Sequence, residues 1–225
     1  LLPYVTSRAE YLQIPRSDAA GFDNPFRSGS DFFGNAGLDL KYRLGTNLTL
    51  DATVNPDFGQ VELDPAVINL TAFETRFEEK RPFFVEGAEI FRFGDLGGRP
   101  GGSEVQLLHT RRIGRSPQGV LPGEAEYTDI PGSTTILGAM KISGKTANGW
   151  SVGLLDAVTD RVRAPWVDVD GVRRGTEVEP LANYLAARLR RDVRQGTGSF
   201  GVVATGVNRA LGTDALEARL RSSAY

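Results

Sequence analysis

The sequence predicts an all-β fold over residues 1–225, read as a single region built as an antiparallel meander of hairpins, and three stretches carry that prediction. In GLDLKYRLGTNLTLDATV, Leu38, Leu40, Tyr42 and Leu44 share one parity while Asp39, Lys41 and Arg43 share the other. The alternation resumes after Gly45, Thr46 and Asn47, with Leu48, Leu50, Ala52 and Val54 set against Thr49, Asp51, Thr53 and Asn55. A period of two belongs to strands with one greasy and one wet face, so this is a hairpin. The second runs through Ile136, Met140 and Ile142, alternating with Thr135, Lys141 and Ser143, to a return strand opened by Trp150. Its Ala147-Asn148-Gly149 turn offers the positive φ angles that tight hairpins need. In the third, Leu185, Ala187 and Leu189 oppose Arg188, Arg190 and Asp192; the chain turns near residues 195–198, and Phe200, Val202 and Ala204 follow.

The two ends, LLPYVTSRAEYL and ALEARLRSSAY, also read as strands, as does HTRRIGR from His109. Breaker-rich stretches at 17–30, 94–103, 116–133 and 164–175 read as loops. Some exceed the roughly 12 to 15 residues usual for a structureless connection, which marks them as functional or rim loops.

Composition removes several function classes. Lys plus Arg (26) nearly balances Asp plus Glu (28), so no field draws the chain to nucleic acid. Without cysteine there is no disulfide framework, thiolate nucleophile or thiolate zinc site, and one histidine cannot build a histidine metal cluster. No metal and no cofactor is expected. No apolar run is long enough for a membrane-spanning helix.

Strands can cross a bilayer by another route. In a closed barrel, about 9 to 11 residues of alternating polarity suffice, with the polar parity facing a water-filled lumen. Arg43, Arg188, Arg190, Arg219 and Arg221 alternate with small or apolar neighbours, as fixed charges lining a lumen would. The segment LANYLAARLRRDVRQGTGSFGVVATGVNRA holds two strands of about a dozen residues, longer than the usual five to six of soluble sheets. The reading is therefore part of a transmembrane outer-membrane β-barrel, with membrane lipid as its partner.

The run NPDFGQVELDPAVINLTAFETRFEEKRPFFVEGAEIF, with HTRRIGR and the blocks around residues 136–161 and 179–192, resembles a family of uncharacterised bacterial outer-membrane proteins. In that family a carbohydrate-binding-like domain of the family-nine type precedes a barrel region of unassigned function. The resemblance covers roughly residues 2–208. It implies an outer-membrane location, a barrel, and a glycan as the ligand by association with the upstream domain. It implies no established reaction. The chain is short for a whole barrel, and the parity partners of Tyr225 are Ser223, Arg221, Arg219 and Glu217, so the expectation is a fragment of the barrel part.

Several motifs favour plain structural readings. GWSVG matches a nucleophile elbow, but Ser151 falls in a predicted strand and the single His109 precedes it, so catalysis there is not expected. GDLGGRPGGS lacks the lysine of a phosphate loop, and VDVDGV reads as an Asp-Gly turn rather than a calcium loop.

The charged cluster is the candidate site. Asp57, Glu62, Asp64, Glu74, Glu78, Glu79 and Glu86 are nearly matched by cations that include Lys80, Arg81, Arg111 and Arg112. Near-neutral clusters pair internally, so a ligand-binding or lumen charge network is expected. Within it, FEEKRPFFVEG sets a charged run against Phe83 and Phe84. The expectation is a constriction or fold-back loop, with the charges toward the lumen and either one Phe turned inward or a bulge near Pro82. Two other readings stand beside this one. A carbohydrate-active hydrolase needs a converging pair among Asp64, Glu74, Glu78 and Glu86. A non-enzymatic envelope scaffold needs an open strand edge for a protein partner.

Overall fold

The computed structural model describes residues 1–11, 24–26, 30–56, 78–91, 108–193 and 198–225. Its strands are β1 (Leu2–Tyr11), β2 (Ser30–Leu44), β3 (Leu48–Val54), β4 (Ala125–Thr128), β5 (Ile136–Lys145), β6 (Trp150–Thr159), β7 (Val162–Asp168), β8 (Arg173–Glu179), β9 (Leu181–Val193), β10 (Gly198–Ala210) and β11 (Ser223–Ala224). Eight of them form one sheet in the order β1-β2-β3-β5-β6-β9-β10-β11, every pair antiparallel. That is the meander the three hairpins predict. Among the described residues the sheet is open, with β1 and β11 at its two ends and no pairing between them.

The hairpin turns follow their residues. Gly45 (φ 68°) closes β2 onto β3, and Gly149 (φ 78°) closes β5 onto β6, in the left-handed region that costs glycine least. The turn between β9 and β10 lies outside the described residues.

Apart from a shift at Ile136–Gly138, register runs unbroken across six strands and sorts the side chains. On one side, Tyr42 lies opposite Leu50, Leu50 opposite Ile142, Ile142 opposite Leu154, Leu154 opposite Ala187 and Ala187 opposite Ala204. A parallel row runs Leu44, Leu48, Gly144, Val152, Leu189 and Val202. This apolar side is the uncovered one: Tyr42 is 58% exposed and Val202 63%. The opposite side carries Asp51, Thr53 and Lys141, all buried, with Ala139, Leu155, Ala157 and Ala186. The sheet therefore buries its polar and small-residue face and leaves its aliphatic face open, the reverse of a sheet that packs its greasy side on a core.

What covers the buried face is the stretch 78–91 together with 108–113. Phe84, Phe91 and Ile113 meet Ala139, Leu155, Ala157 and Ala186 in one cluster, with Phe83, Ile90, Leu108 and Tyr184 packed around it. The alanines make room for the rings. Gly153 makes more, since a Cβ there would stand 2.6 Å from Ile90 Cγ2.

Several local expectations give way. Residues 82–85 form a short helix, α1 (Pro82–Val85), rather than a strand with a bulge. Pro82 sits at its first turn, where its missing N–H costs nothing, and Arg81 before it is extended (ψ 120°), as a residue preceding proline prefers. In this helix Phe84 is buried and the Phe83 ring stands edge-on to it at 5.0 Å, so two adjacent rings share one core. HTRRIGR is not a strand: Thr110–Arg112 is a turn of 3-10 helix. Most of ALEARLRSSAY is not a strand either. Thr213 accepts from the Leu216 N–H and caps helix α2 (Asp214–Glu217), and only Ser223–Ala224 pairs, so Arg219 and Arg221 do not extend an arginine ladder.

The stretches 116–133 and 164–175 are not plain loops. They contribute to a second sheet in the order β4-β7-β8. Its β7–β8 turn is the Asp-Gly turn read from VDVDGV: Asp168 accepts from the N–H groups of Asp170 (3.1 Å) and Val172 (2.8 Å), and Gly171 has φ 77°. Those N–H bonds, chiefly that from Val172, with Arg174 beside them, outweigh the cost of burial and hold the Asp168 carboxyl below the usual range.

Candidate functional site: a charge-pinned segment on the buried sheet face

Two charge clusters fasten residues 78–91. The first centres on Arg81, which is 6% exposed. Its guanidinium donates to Glu79 Oε1 (2.8 Å) and Oε2 (2.7 Å), to the Thr110 carbonyl (2.7 Å) and to the Ile113 carbonyl (2.7 Å). Its Cζ lies over the Phe84 ring, 4.3 Å from the ring centre. Glu79 Oε2 also accepts from the Thr110 hydroxyl at 2.6 Å. One planar fork thus ties α1 to the 3-10 turn, a task a point-charge ammonium cannot perform with the same geometry. Burial pushes the Glu79 carboxyl up, but the bonds and charge of Arg81, with the Thr110 hydroxyl, outweigh it and hold the group below the ordinary 4.5.

The sign of that shift fixes a pH dependence. A depressed folded-state value means the unfolded chain binds the proton more readily, so the contribution is complete above about 4.5 and fades as pH falls through the folded value. Acidification from about pH 5 to about pH 3 is expected to lower the urea midpoint, and Glu79→Gln to flatten that drop. Identical acid profiles for the two proteins would remove Glu79 from the account.

The second cluster joins the segment to the sheet wall. Lys141 on β5 is 1% exposed; its ammonium donates to the Phe83 carbonyl (2.5 Å) and the Glu86 carbonyl (2.6 Å), and stands 3.7 Å from Asp51 Oδ2 on β3. Lys41 on β2, 3.9 Å from Asp51, also reaches over to the Glu86 carboxylate. The hydrogen bond from Lys41 holds the Glu86 carboxyl below its usual range. From β9, Arg188 donates to the Ile90 carbonyl at 2.8 Å. Side chains from three strands, β2, β5 and β9, thereby hold the stretch 83–90.

Of the residues singled out from the sequence, Glu79, Arg81 and Glu86 fall in these clusters, which lie on the buried face and away from the open aliphatic one. Glu78, Lys80 and Arg112 are exposed, and Arg111 is half-buried in the 3-10 turn. Asp57, Glu62, Asp64 and Glu74 lie outside the described residues. Asp51 and Lys141, central to the second cluster, were legible only as members of an alternation. Their signal is that both stand on the parity shared with Ala139 and Thr53. Ser151 lies inside strand β6, as its reading as a strand residue requires.

These elements define an all-β protein in which an antiparallel sheet carries a charge-pinned segment on its polar face. The chain belongs to the family described as Domain of unknown function (DUF5916), whose model matches residues 3–215. Comparison with curated proteins gives no match, and neither does comparison with solved structures.

Proposed function

We propose that the chain forms part of the wall of an outer-membrane β-barrel, whose charged inner face and the segment fastened to it bind a ligand or govern its passage without covalent chemistry. The observation that carries this reading is the open aliphatic face, in register over six strands, backed by a buried polar one. Water on both sides gives no reason for that inversion, whereas hydrocarbon outside and confined water inside does.

The margins of the open face fit the same reading. At one end Trp150 and Phe200 meet edge-on at 5.8 Å, with the Arg191 guanidinium 5.2 Å from the Trp150 ring. Aromatic and arginine side chains of this kind settle where lipid headgroups meet hydrocarbon. Toward the other end Asn183 donates to Asp156 at 2.9 Å, and Asn208 stands opposite Asn183. From Trp150 to Asp156, the first charged side chain on the open face of that strand, the span is about 20 Å before tilt. Residues 78–91 would then be a fold-back segment inside the lumen, and the resemblance noted above makes a glycan the ligand to test first.

The test is membrane fractionation of the full-length protein, with a gel run on heated and unheated samples. Recovery in the outer-membrane fraction with heat-dependent mobility is expected. A sharper arm uses Ala187→Arg, placed mid-face between Leu154 and Ala204. In hydrocarbon this change should cost about 2 to 4 kcal/mol of stability; on a surface facing water it should be near neutral. A neutral result together with a soluble full-length protein would end the barrel reading.

A further inference from the structure

We infer that the protein binds a small oxyanion, the carboxylate or phosphate of a compact ligand, in a cavity where residues 108–115 cross the inner side of β9 and β10. The cavity has a volume of about 370 Å³, and its walls include Arg112, Arg115 and Arg209 together with His109, Tyr184 and Thr205. Three arginines thus line one space, and none of its described lining residues is acidic. Arg115 and Arg209 each keep a buried Nε without a hydrogen-bond partner, although Arg115 also bonds Gln118 and Arg209 Nη1 donates to the Arg221 carbonyl (3.1 Å). Buried donors left unmade are costly, so both guanidinium groups keep hydrogen-bonding capacity beside the cavity.

The electrostatics point the same way. Burial, with the like charges of Arg112 and Arg209 nearby, holds Arg115 below the usual arginine value, against the opposing pull of Tyr184 and Glu179. Glu179 gives only partial relief: its Oε2 is engaged by the Gln118 N–H at 2.9 Å, and the residue does not line the cavity. An anion placed among the three cations would offset both their mutual repulsion and their desolvation. The guanidinium fork matches the paired oxygens of carboxylates and phosphates, which sets the ligand class. Ile113 and Leu155, each 1% exposed, add an apolar wall for the body of the ligand. The inference names the ligand for the proposed inner face and rests on that reading only in taking this face as the one a ligand reaches; it does not need lipid outside.

The experiment is calorimetric titration of the full-length protein with glucuronate, glucose 6-phosphate and glucose. Binding of at least one charged sugar, about tenfold or more tighter than glucose and weakened by salt, is expected. The better of the two charged sugars identifies the ligand's acid group. Arg115→Gln and Arg209→Gln should each weaken that binding about tenfold, and Arg209→Lys should recover part of it. Equal affinity for glucose, no binding of any of the three, or unaltered binding in folded glutamine variants would each overturn the site. If the variants do not fold, the preference of the unaltered protein for charged sugar over glucose decides alone. Heat-dependent mobility reports the barrel separately, so selective binding by a soluble protein would end the membrane reading and leave the oxyanion site standing.

Discussion

Replacing Arg81 by methionine is expected to destabilise the folded protein by about 3 to 5 kcal/mol and to expose residues 78–91 to protease. The side chain holds both oxygens of Glu79 and the carbonyls of Thr110 and Ile113 in one buried position. Methionine can fill the space beside Phe84 but supplies no donor, so a carboxylate and two carbonyls would be left facing a nearly dry interior. Adding Glu79→Gln should return part of the loss, because it removes the stranded charge. Urea unfolding of the purified protein, in detergent if it requires one, measures each step of the cycle. A loss below about 1 kcal/mol would mean that the cluster is solvated and that aromatic packing alone fixes the segment.

Lys141→Met should act on the other fastening, with a loss of similar size, about 3 to 5 kcal/mol. The ammonium satisfies the Phe83 and Glu86 carbonyls and neutralises Asp51, so its removal strands an acid and two acceptors in the interior. Lys41 also faces Asp51 and would still offset part of its charge, so adding Asp51→Asn to Lys141→Met should recover only a small part of the loss. The two fastenings share residues 79–86, so combining Arg81→Met with Lys141→Met should cost less than the two losses added, once the segment has already come away. Strict additivity would show that the segment does not detach as a unit.

The meander was legible because its information is local. The parity of Leu38 to Leu44, the Asn148-Gly149 turn and the alternation about Arg188 and Arg190 each specify a strand without reference to distant residues. That Lys141 and Asp51 each stand on a polar parity was legible too, but that the chain would cover that parity was not. Periodicity reports that two faces differ and is silent on which one the rest of the chain covers.

The segment 82–91 failed for the opposite reason. The side-chain pattern around Phe83 and Phe84 suggests a fold-back loop with one ring turned inward or a bulge near Pro82, whereas Pro82 and the fork of Arg81 select a short helix through contacts about thirty residues away. The β4-β7-β8 sheet was missed because β4 has four residues and Pro165 lies within β7, a combination that reads as loop. Thr110 and Ile113 serve the site through main-chain carbonyls, and no side-chain pattern announces that role.

The way Lys141 and Arg188 grip the chain has an evolutionary corollary. Both anchors recognise peptide oxygens, at positions 83, 86 and 90, and so they read the path of the polypeptide rather than the identity of its residues. The tip of this stretch can therefore diversify, and with it whatever chemistry it presents, while its mooring stays intact. Attachment through these three bonds is written in the main chain, so a change of side chain at positions 83, 86 or 90 does not by itself remove them.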